Sequence, residues 1–233
     1  MRGLPLRPAG KPAPPSENPD ELYRCREDLQ TAKRAAALWE ARASKEFEAA
    51  WKLSRVCYWI GTHAREDERR AALERGVRAG ETAIRMVSDK PEGHFWMAAN
   101  MGTLAESFGL VQGIKYRAKI KDELERTIAI DAKWQDGSAV AALGQWYFEV
   151  PRLLGGSRAK AEEHLRKVLS INPDSRVALT ILAEVLVADG RRDEARSFLQ
   201  RVVDAPIDPE WIPEDNEYKT KALRRLETLN RGR

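Results

Sequence analysis

The side chains that could do chemistry in this chain of 233 residues are three histidines, two cysteines and many scattered carboxylates. A catalytic or metal site needs several such groups at a fixed spacing, so that the fold can bring them to one point. None of the histidines, His63, His94 and His164, has a second histidine or a carboxylate at a metal-ligand spacing. The sequence therefore predicts no catalytic residue, no metal and no cofactor.

Motifs of the common enzyme classes are also missing, because no HExxH, GxSxG, GxGxxG or GxxxxGK[ST] pattern occurs. The Gly155-Gly156 pair before Ser157 could cradle an anion through backbone N–H groups, but a sharp loop turn is the favoured explanation. The carboxylates lie in mixed-charge segments such as KAEEHLRK, which are typical of solvated helix faces. We therefore expect a protein that is not an enzyme.

The two cysteines, Cys25 and Cys57, leave two interpretations open. They could form a disulfide in an oxidising compartment, or they could be two small buried thiols. No CxxC spacing points to a zinc site.

The charge pattern argues against two classes of partner. The net charge is only +4, with 40 basic and 36 acidic residues interleaved along the chain, so we expect no nucleic-acid partner. The longest apolar runs, such as VCYWIG at 56–61, are far too short to cross a bilayer, so no transmembrane segment is expected.

The N-terminal residues 1–17 hold five of the 12 prolines and have no apolar signal region. We predict a disordered, proline-rich leader at 1–17 and a helical domain at 18–233. As the sequence stands it predicts a cytoplasmic protein, whereas an export signal upstream of Met1 would make it periplasmic.

From Asn18 onward nearly every segment has the periodicity of an amphipathic helix, and alternating β patterns are absent. Asn18 is a good N-cap, and Pro19 suits the first helical position. Turn sequences divide the remainder into antiparallel pairs followed by one last helix. The predicted helices are 19–27 and 29–43, 46–61 and 66–88, 92–108 and 110–131, 137–149 and 158–171, 175–189 and 192–204, and 216–230.

The pairs resemble one another, most clearly at 175–203. The seam between the two helices of this pair would be filled by leucines: Leu179, Leu182, Leu186 and Leu199. The helices would cross at two small residues, Ala183 and Ala195. This is the pattern of a tetratricopeptide (TPR) repeat. The spacing of equivalent residues exceeds the roughly 34 of a standard TPR, which indicates insertions. The sequence thus predicts an all-α fold, a TPR-like α-solenoid of about four to five antiparallel helix pairs plus a C-terminal helix.

Two GxxxG patterns, Gly76–Gly80 and Gly109–Gly113, are expected to let neighbouring helices approach closely.

The repeat phase places aromatic and weakly polar side chains on the concave face. Such a groove suits a small apolar ligand or an apolar peptide segment. The alternative is that the N-terminal helix or a partner subunit covers this face. The candidate groove residues are Trp51, Arg55, Tyr58, Phe95, Asn100, Gln145 and Phe148.

The apolar stretch HFWMAANMG at 94–102 belongs to the middle of this stack. We expect His94 and Met97 to face the partner helix of their own pair and Phe95 to face the groove. Trp96 and Asn100 should point to a neighbouring repeat. Because Asn100 is polar in an apolar helix, it needs a hydrogen-bond partner, which could be a helix or a ligand.

Three segments resemble the TRAP-transporter T-component family: HFWMAANMGTLAE at 94–106, EVPRLLGGSRAKAEEHLRKVLSINPDS at 149–175 and APIDPEWIPEDNEYKTKALRRLETL at 205–229. The resemblance implies a TPR-like helical protein, in some members trimeric and lipid-anchored in the periplasm, that works beside a periplasmic substrate-binding protein. The microtubule-regulator family of eukaryotes resembles the same helical array more distantly.

These observations support two hypotheses about function. The first is a non-enzymatic interaction protein that binds a protein partner or a small apolar ligand in its groove. The second is a structural module that uses the same face to form a homo-oligomer, for example a trimer, and binds no ligand.

Overall fold

The computed structural model describes residues 18–231, which form eleven α-helices and two short 3₁₀ turns. The predicted leader at 1–17 lies outside the described residues. The α-helices are α1 (Pro19–Arg24), α2 (Leu29–Ala43), α3 (Phe47–His63), α4 (Glu66–Met86), α5 (Pro91–Ser107), α6 (Leu110–Ile130), α7 (Ser138–Glu149), α8 (Arg158–Ile171), α9 (Arg176–Ala188), α10 (Arg192–Asp204) and α11 (Ile212–Arg231). The 3₁₀ turns are Trp134–Gly137 and Arg152–Leu154.

Capping side chains set several helix starts where the sequence predicts them. The side-chain oxygen of Asn18 accepts from the N–H of Asp20 at 3.0 Å, and Pro19 opens α1. Two predicted bounds differ from the observed ones by more than two residues. Helix α1 ends at Arg24 because the chain turns before Asp28 caps α2, and α11 begins at Ile212, earlier than the predicted 216.

The helices pack as the repeat pattern predicts. Helices α3 and α4, α5 and α6, α7 and α8, and α9 and α10 form consecutive pairs, and each pair packs on the next. This arrangement is an all-α TPR-like solenoid, and it confirms the predicted fold class. The predicted seam residues are almost fully buried: Leu179, Leu182, Ala183, Leu186, Ala195 and Leu199.

The two GxxxG patterns have different roles. A Cβ on Gly76 would lie 2.2 Å from Oδ1 of Asn100, and one on Gly80 would lie 2.6 Å from Cβ of Met97, so α4 and α5 touch there. Met97 therefore contacts the preceding pair, and it also belongs to the core cluster that contains Ile120 and Leu124 of its partner helix α6. Gly109 and Gly113 have no atom within 4 Å of such a Cβ, so the predicted close approach is wrong for them.

The C-terminal segment returns to the first helices of the array. Arg26, which follows α1 and is 2% exposed, donates from Nε to Oε1 of Glu214 at 2.9 Å and from Nη2 to the carbonyl oxygen of Glu210 at 3.1 Å. Nε2 of His63 lies 2.7 Å from Oε1 of Glu217. These contacts join α1 and α3 to α11 and close one side of the solenoid.

Both cysteines are free thiols. Cys57 is buried as expected, and burial raises the pKa of its thiol to about 11. Cys25 is exposed because it lies in the turn after α1, so the expectation of two buried thiols is wrong for Cys25.

Within residues 18–231, no helix is both long enough and apolar enough to span a bilayer.

Candidate functional site

The concave side of the solenoid holds a cavity of about 480 Å³. Its walls come from the first helices of successive pairs and from α6, α1 and the C-terminal segment that closes the array. Aromatic side chains from five of these elements line it: Tyr23, Tyr58, Phe95, Trp96, Trp146, Trp211 and Tyr218. The cavity is therefore a largely apolar space that is only partly enclosed and remains partly open to solvent.

Three of the predicted groove residues line this cavity. Tyr58 on α3, Phe95 on α5 and Gln145 on α7 come from three successive pairs, as the repeat phase requires. Ala99 and Gly102, which share the face of Phe95, line it too.

Trp51 and Arg55 lie on α3 outside this lining, because α1 covers that end of the face. The guanidinium of Arg55 stands 4.0 Å from the ring centroid of Tyr23, and it also stacks on Trp51 at 5.0 Å. Burial lowers the pKa of Arg55 despite nearby Asp20. The alternative that the N-terminal helix covers the concave face therefore holds for this end of the solenoid.

Asn100 is fully buried and does not line the cavity, so its inclusion among the groove residues needs correction. Its Nδ2 donates to the carbonyl oxygens of Ser54 at 3.0 Å and of Trp96 at 2.7 Å. The Nδ2 group thus finds a partner on the neighbouring helix α3, in agreement with the predicted orientation towards an adjacent repeat, whereas Oδ1 has no hydrogen-bond partner among residues 18–231.

Phe148 is also placed away from the cavity. Its ring is half-buried against the C-terminal core, and it borders a separate surface depression with Pro151 and Gly156. A Cβ on Gly156 would lie 1.7 Å from the carbonyl oxygen of Val150, which shows that the Gly155-Gly156 pair makes a tight loop turn.

The prediction missed several cavity residues. Glu106 and Glu149 lie four residues beyond Gly102 and Gln145, so extending the helical phase by one turn would have found both. Trp211 and Tyr218 reach the cavity from the C-terminal segment, and no periodicity within the repeats indicates that placement.

The inner face carries three carboxylates from three successive pairs: Glu106 on α5, Glu149 on α7 and Glu184 on α9. Although solvent reaches the first two, surrounding protein atoms desolvate them, and this desolvation raises the pKa of both. The negative charge of Glu184 raises the pKa of both carboxyl groups further. The positive charge of Lys221 on α11 lowers both pKa values, and Lys221 forms an ion pair with Glu184 at 2.9 Å.

Polar and charged side chains stand among the aromatic ones in the cavity lining, including the carboxylates Glu106, Glu149, Glu214 and Asp215. Nε2 of Gln145 donates to Oε1 of Glu106 at 3.3 Å. The indole N–H of Trp96, a residue 4% exposed, has no hydrogen-bond partner within the described part of the chain. Burial raises the pKa of Tyr58 to about 12 and also raises that of Tyr218.

The described residues contain no group of three His, Cys, Asp or Glu side chains that could hold a metal ion.

Known protein families and solved structures show which proteins this chain is similar to. A family model described as regulator of microtubule dynamics protein 1-3 matches residues 16–230, nearly the whole chain. The chain belongs to this family. It is the family whose resemblance to the sequence is described above as more distant, and membership of the T-component family is not shown. No curated protein sequence matches the chain.

Solved structures agree with the fold. A thermophilic TPR protein of Thermus thermophilus has a TM-score of 0.67 at 20% identity, over 91% of this chain and 99% of that protein. The crystal structure of MamA has a TM-score of 0.51 at 18% identity, over 84% of this chain and 95% of the other. At these identities the similarity supports the TPR-like fold alone.

Proposed function

We propose that this protein is a non-enzymatic binding protein whose cavity holds a small apolar ligand or a short apolar segment of a partner protein. The observation that carries the proposal is the cavity of about 480 Å³ with seven aromatic side chains around it. Its volume falls within the roughly 300–1,000 Å³ typical of ligand sites.

The closure of the concave face favours a small occupant over a folded partner. Helix α1 covers the end at Arg55, and the C-terminal segment that Arg26 joins to it adds Trp211 and Tyr218 to the cavity wall. A folded domain would have to displace these elements and break the buried contact of Arg26 with Glu214, whereas a small ligand needs only the space that exists.

The polar groups suggest the orientation of the occupant. Glu106 and Gln145 stand together at one wall, and the raised pKa of Glu106 makes its carboxyl easier to protonate. A hydroxyl, amide or amine at one end of the ligand would hydrogen-bond there, while its apolar body would lie against Phe95 and Trp96.

Gly102→Phe is the sharpest test, because this glycine lines the cavity and no atom lies within 4 Å of an added Cβ. The new ring should fill the cavity without disturbing the helix. The probe is N-phenyl-1-naphthylamine, an apolar dye that fluoresces on leaving water. We expect saturable binding to the original protein and at least about a tenfold weaker affinity in the variant.

Ser197→Phe is the matched control, since Ser197 is exposed on α10 and outside the cavity lining. It adds the same ring at the surface and should leave dye affinity unchanged. Equal dye binding by Gly102→Phe, with its fold verified by circular dichroism, would overturn the cavity proposal.

The resemblance to the TRAP T-component supports a more specific role beside a periplasmic substrate-binding protein. The segments at 94–106, 149–175 and 205–229 motivate it, and all three line parts of the cavity, for example through Trp96, Leu154 and Trp211. Isothermal titration against the TRAP substrate-binding protein encoded nearest in the same genome tests it. Absence of heat at micromolar concentrations, with dye binding intact, would reject this role and leave the cavity proposal standing.

Self-assembly is the alternative function, and multi-angle light scattering separates it from the first. A monomer that binds the dye supports the cavity proposal. A trimer that loses the dye site, and recovers it on dissociation, would show that the concave face serves assembly instead.

A further inference from the structure

Four apolar side chains project into solvent at the edge of the cavity, and we name this set the rim: Val111 and Ile114 on α6 with Leu153 and Leu154 in the 3₁₀ turn. Val111 is 77% exposed, Ile114 61% and Leu153 98%. Single exposed apolar residues are common, but a cluster of large ones on a water-soluble surface usually marks an interaction site.

The two segments of the rim are joined directly. Nη1 of Arg117 donates to the carbonyl oxygen of Leu154, and the indole N–H of Trp146 donates to the carbonyl oxygen of Arg117 at 3.0 Å. Ile114 and Leu154 also line the cavity. The rim is thus one continuous surface at the place where the cavity meets solvent.

The rim is surrounded by positive charge. Residues 110–121 and 150–160 contain seven Lys or Arg and no Asp or Glu. Lys119, Lys121 and Arg158 form ion pairs with carboxylates elsewhere. The other four, Lys115, Arg117, Arg152 and Lys160, have no carboxylate partner among residues 18–231.

We propose that the rim docks the protein on an anionic lipid bilayer, with Val111, Ile114 and Leu153 entering the headgroup region and the unpaired cations meeting lipid phosphates and carboxylates. Apolar side chains amid basic residues are the combination that binds such surfaces. A bilayer fits better than an acidic peptide, because Leu153 is 98% and Val111 77% exposed, so both apolar side chains project outward from the surface. The docked protein would present its cavity to the membrane.

The experiment is sedimentation of the full chain with vesicles of phosphatidylcholine alone, or of phosphatidylcholine and phosphatidylserine at about three to one. We expect binding to the mixed vesicles, weakening as salt is raised, and little binding to the neutral ones. Val111→Ser with Leu153→Ser should weaken binding at least about tenfold, and Lys115→Gln with Arg152→Gln at least about fivefold.

Leu223→Ser with Arg224→Gln on α11 is the matched control, since Leu223 is 46% exposed and lies outside the rim. This variant should bind the mixed vesicles as strongly as the original protein. Equal binding by both rim variants would overturn the proposal, as would binding to a soluble polyglutamate peptide without any binding to vesicles.

Docking goes beyond the proposed cavity function and can fail independently of it. Gly102→Phe is expected to lose the dye and still bind the mixed vesicles, because its new ring lies inside the cavity. Loss of vesicle binding in the rim variants should leave dye binding unchanged.

Discussion

Asn100 shows how one polar residue orders the middle of the stack. Its amide donates to two carbonyl oxygens, one on α3 and one on its own helix, while its Oδ1 lies against Gly76 of α4. Three helices from two repeats therefore meet at this side chain. Ser54 completes the contact by donating from Oγ to the carbonyl oxygen of Gly76 at 2.8 Å.

This arrangement predicts a coupled pair of substitutions. Gly76→Ala should lower the free energy of unfolding by about 1 to 3 kcal/mol, because its Cβ would lie 2.2 Å from Oδ1 of Asn100. Asn100→Ala alone should also destabilise, through lost hydrogen bonds, by about 1 to 3 kcal/mol. In the double variant the clash is gone, so the two losses should not add. Urea unfolding of all four proteins measures this, and additive losses would contradict it.

At the scale of elements, His94 links the start of α5 to α6. Its Nδ1 lies 2.5 Å from Oε2 of Glu123, and its Nε2 lies 3.0 Å from the carbonyl oxygen of Ser88. Both ring nitrogens face acceptors, so the protonated ring can donate twice. Burial lowers the pKa of His94, but the bonds to Glu123 and Ser88 outweigh it, and the pKa is raised.

Because the pKa of His94 is raised in the folded state, the direction in which pH changes its contribution to stability is determined. Stability from protonated His94 is fully present below the unfolded pKa of about 6.5, and it is lost as the pH rises through the higher folded value. The difference in unfolding free energy between the original protein and His94→Gln should therefore shrink between about pH 6 and pH 8. Urea unfolding at both pH values tests this, and a constant difference would reject the role of the protonated ring.

At the scale of the whole molecule, the contact of Arg26 with Glu214 spans 188 residues of sequence and closes the array. Repeat solenoids otherwise transmit stability only between neighbours. With this closure the first and last elements stabilise each other, and the buried guanidinium depends on the carboxylate for its charge partner.

Glu214→Ala should therefore lower the unfolding free energy by about 3 kcal/mol and loosen α1 at the other end of the chain. Hydrogen exchange read by mass spectrometry should show faster deuterium uptake in Pro19–Arg24. Glu227→Ala on the same helix, an exposed residue without an ion pair in the described part of the chain, is the control and should leave α1 unchanged. Faster uptake confined to α11 would mean that the closure does not couple the two ends.

The sequence by itself determined the helices, their pairing and the all-α solenoid. Caps such as Asn18, turn residues and the apolar period act within a few residues, and the small Ala183 and Ala195 mark helix crossings through local spacing. The same phase placed Tyr58, Phe95 and Gln145 on the concave side, and the cavity lining agrees.

Only the tertiary structure decided what covers that side. Helix α1 lies over Arg55, and the C-terminal segment brings Trp211 and Tyr218 to the cavity through contacts between residues far apart in sequence. It also decided that Asn100 is internal, because the hydrogen-bond partner of a buried amide depends on which helix stands opposite. Periodicity specifies the face of a helix, whereas the neighbour of that face follows from the path of the whole chain.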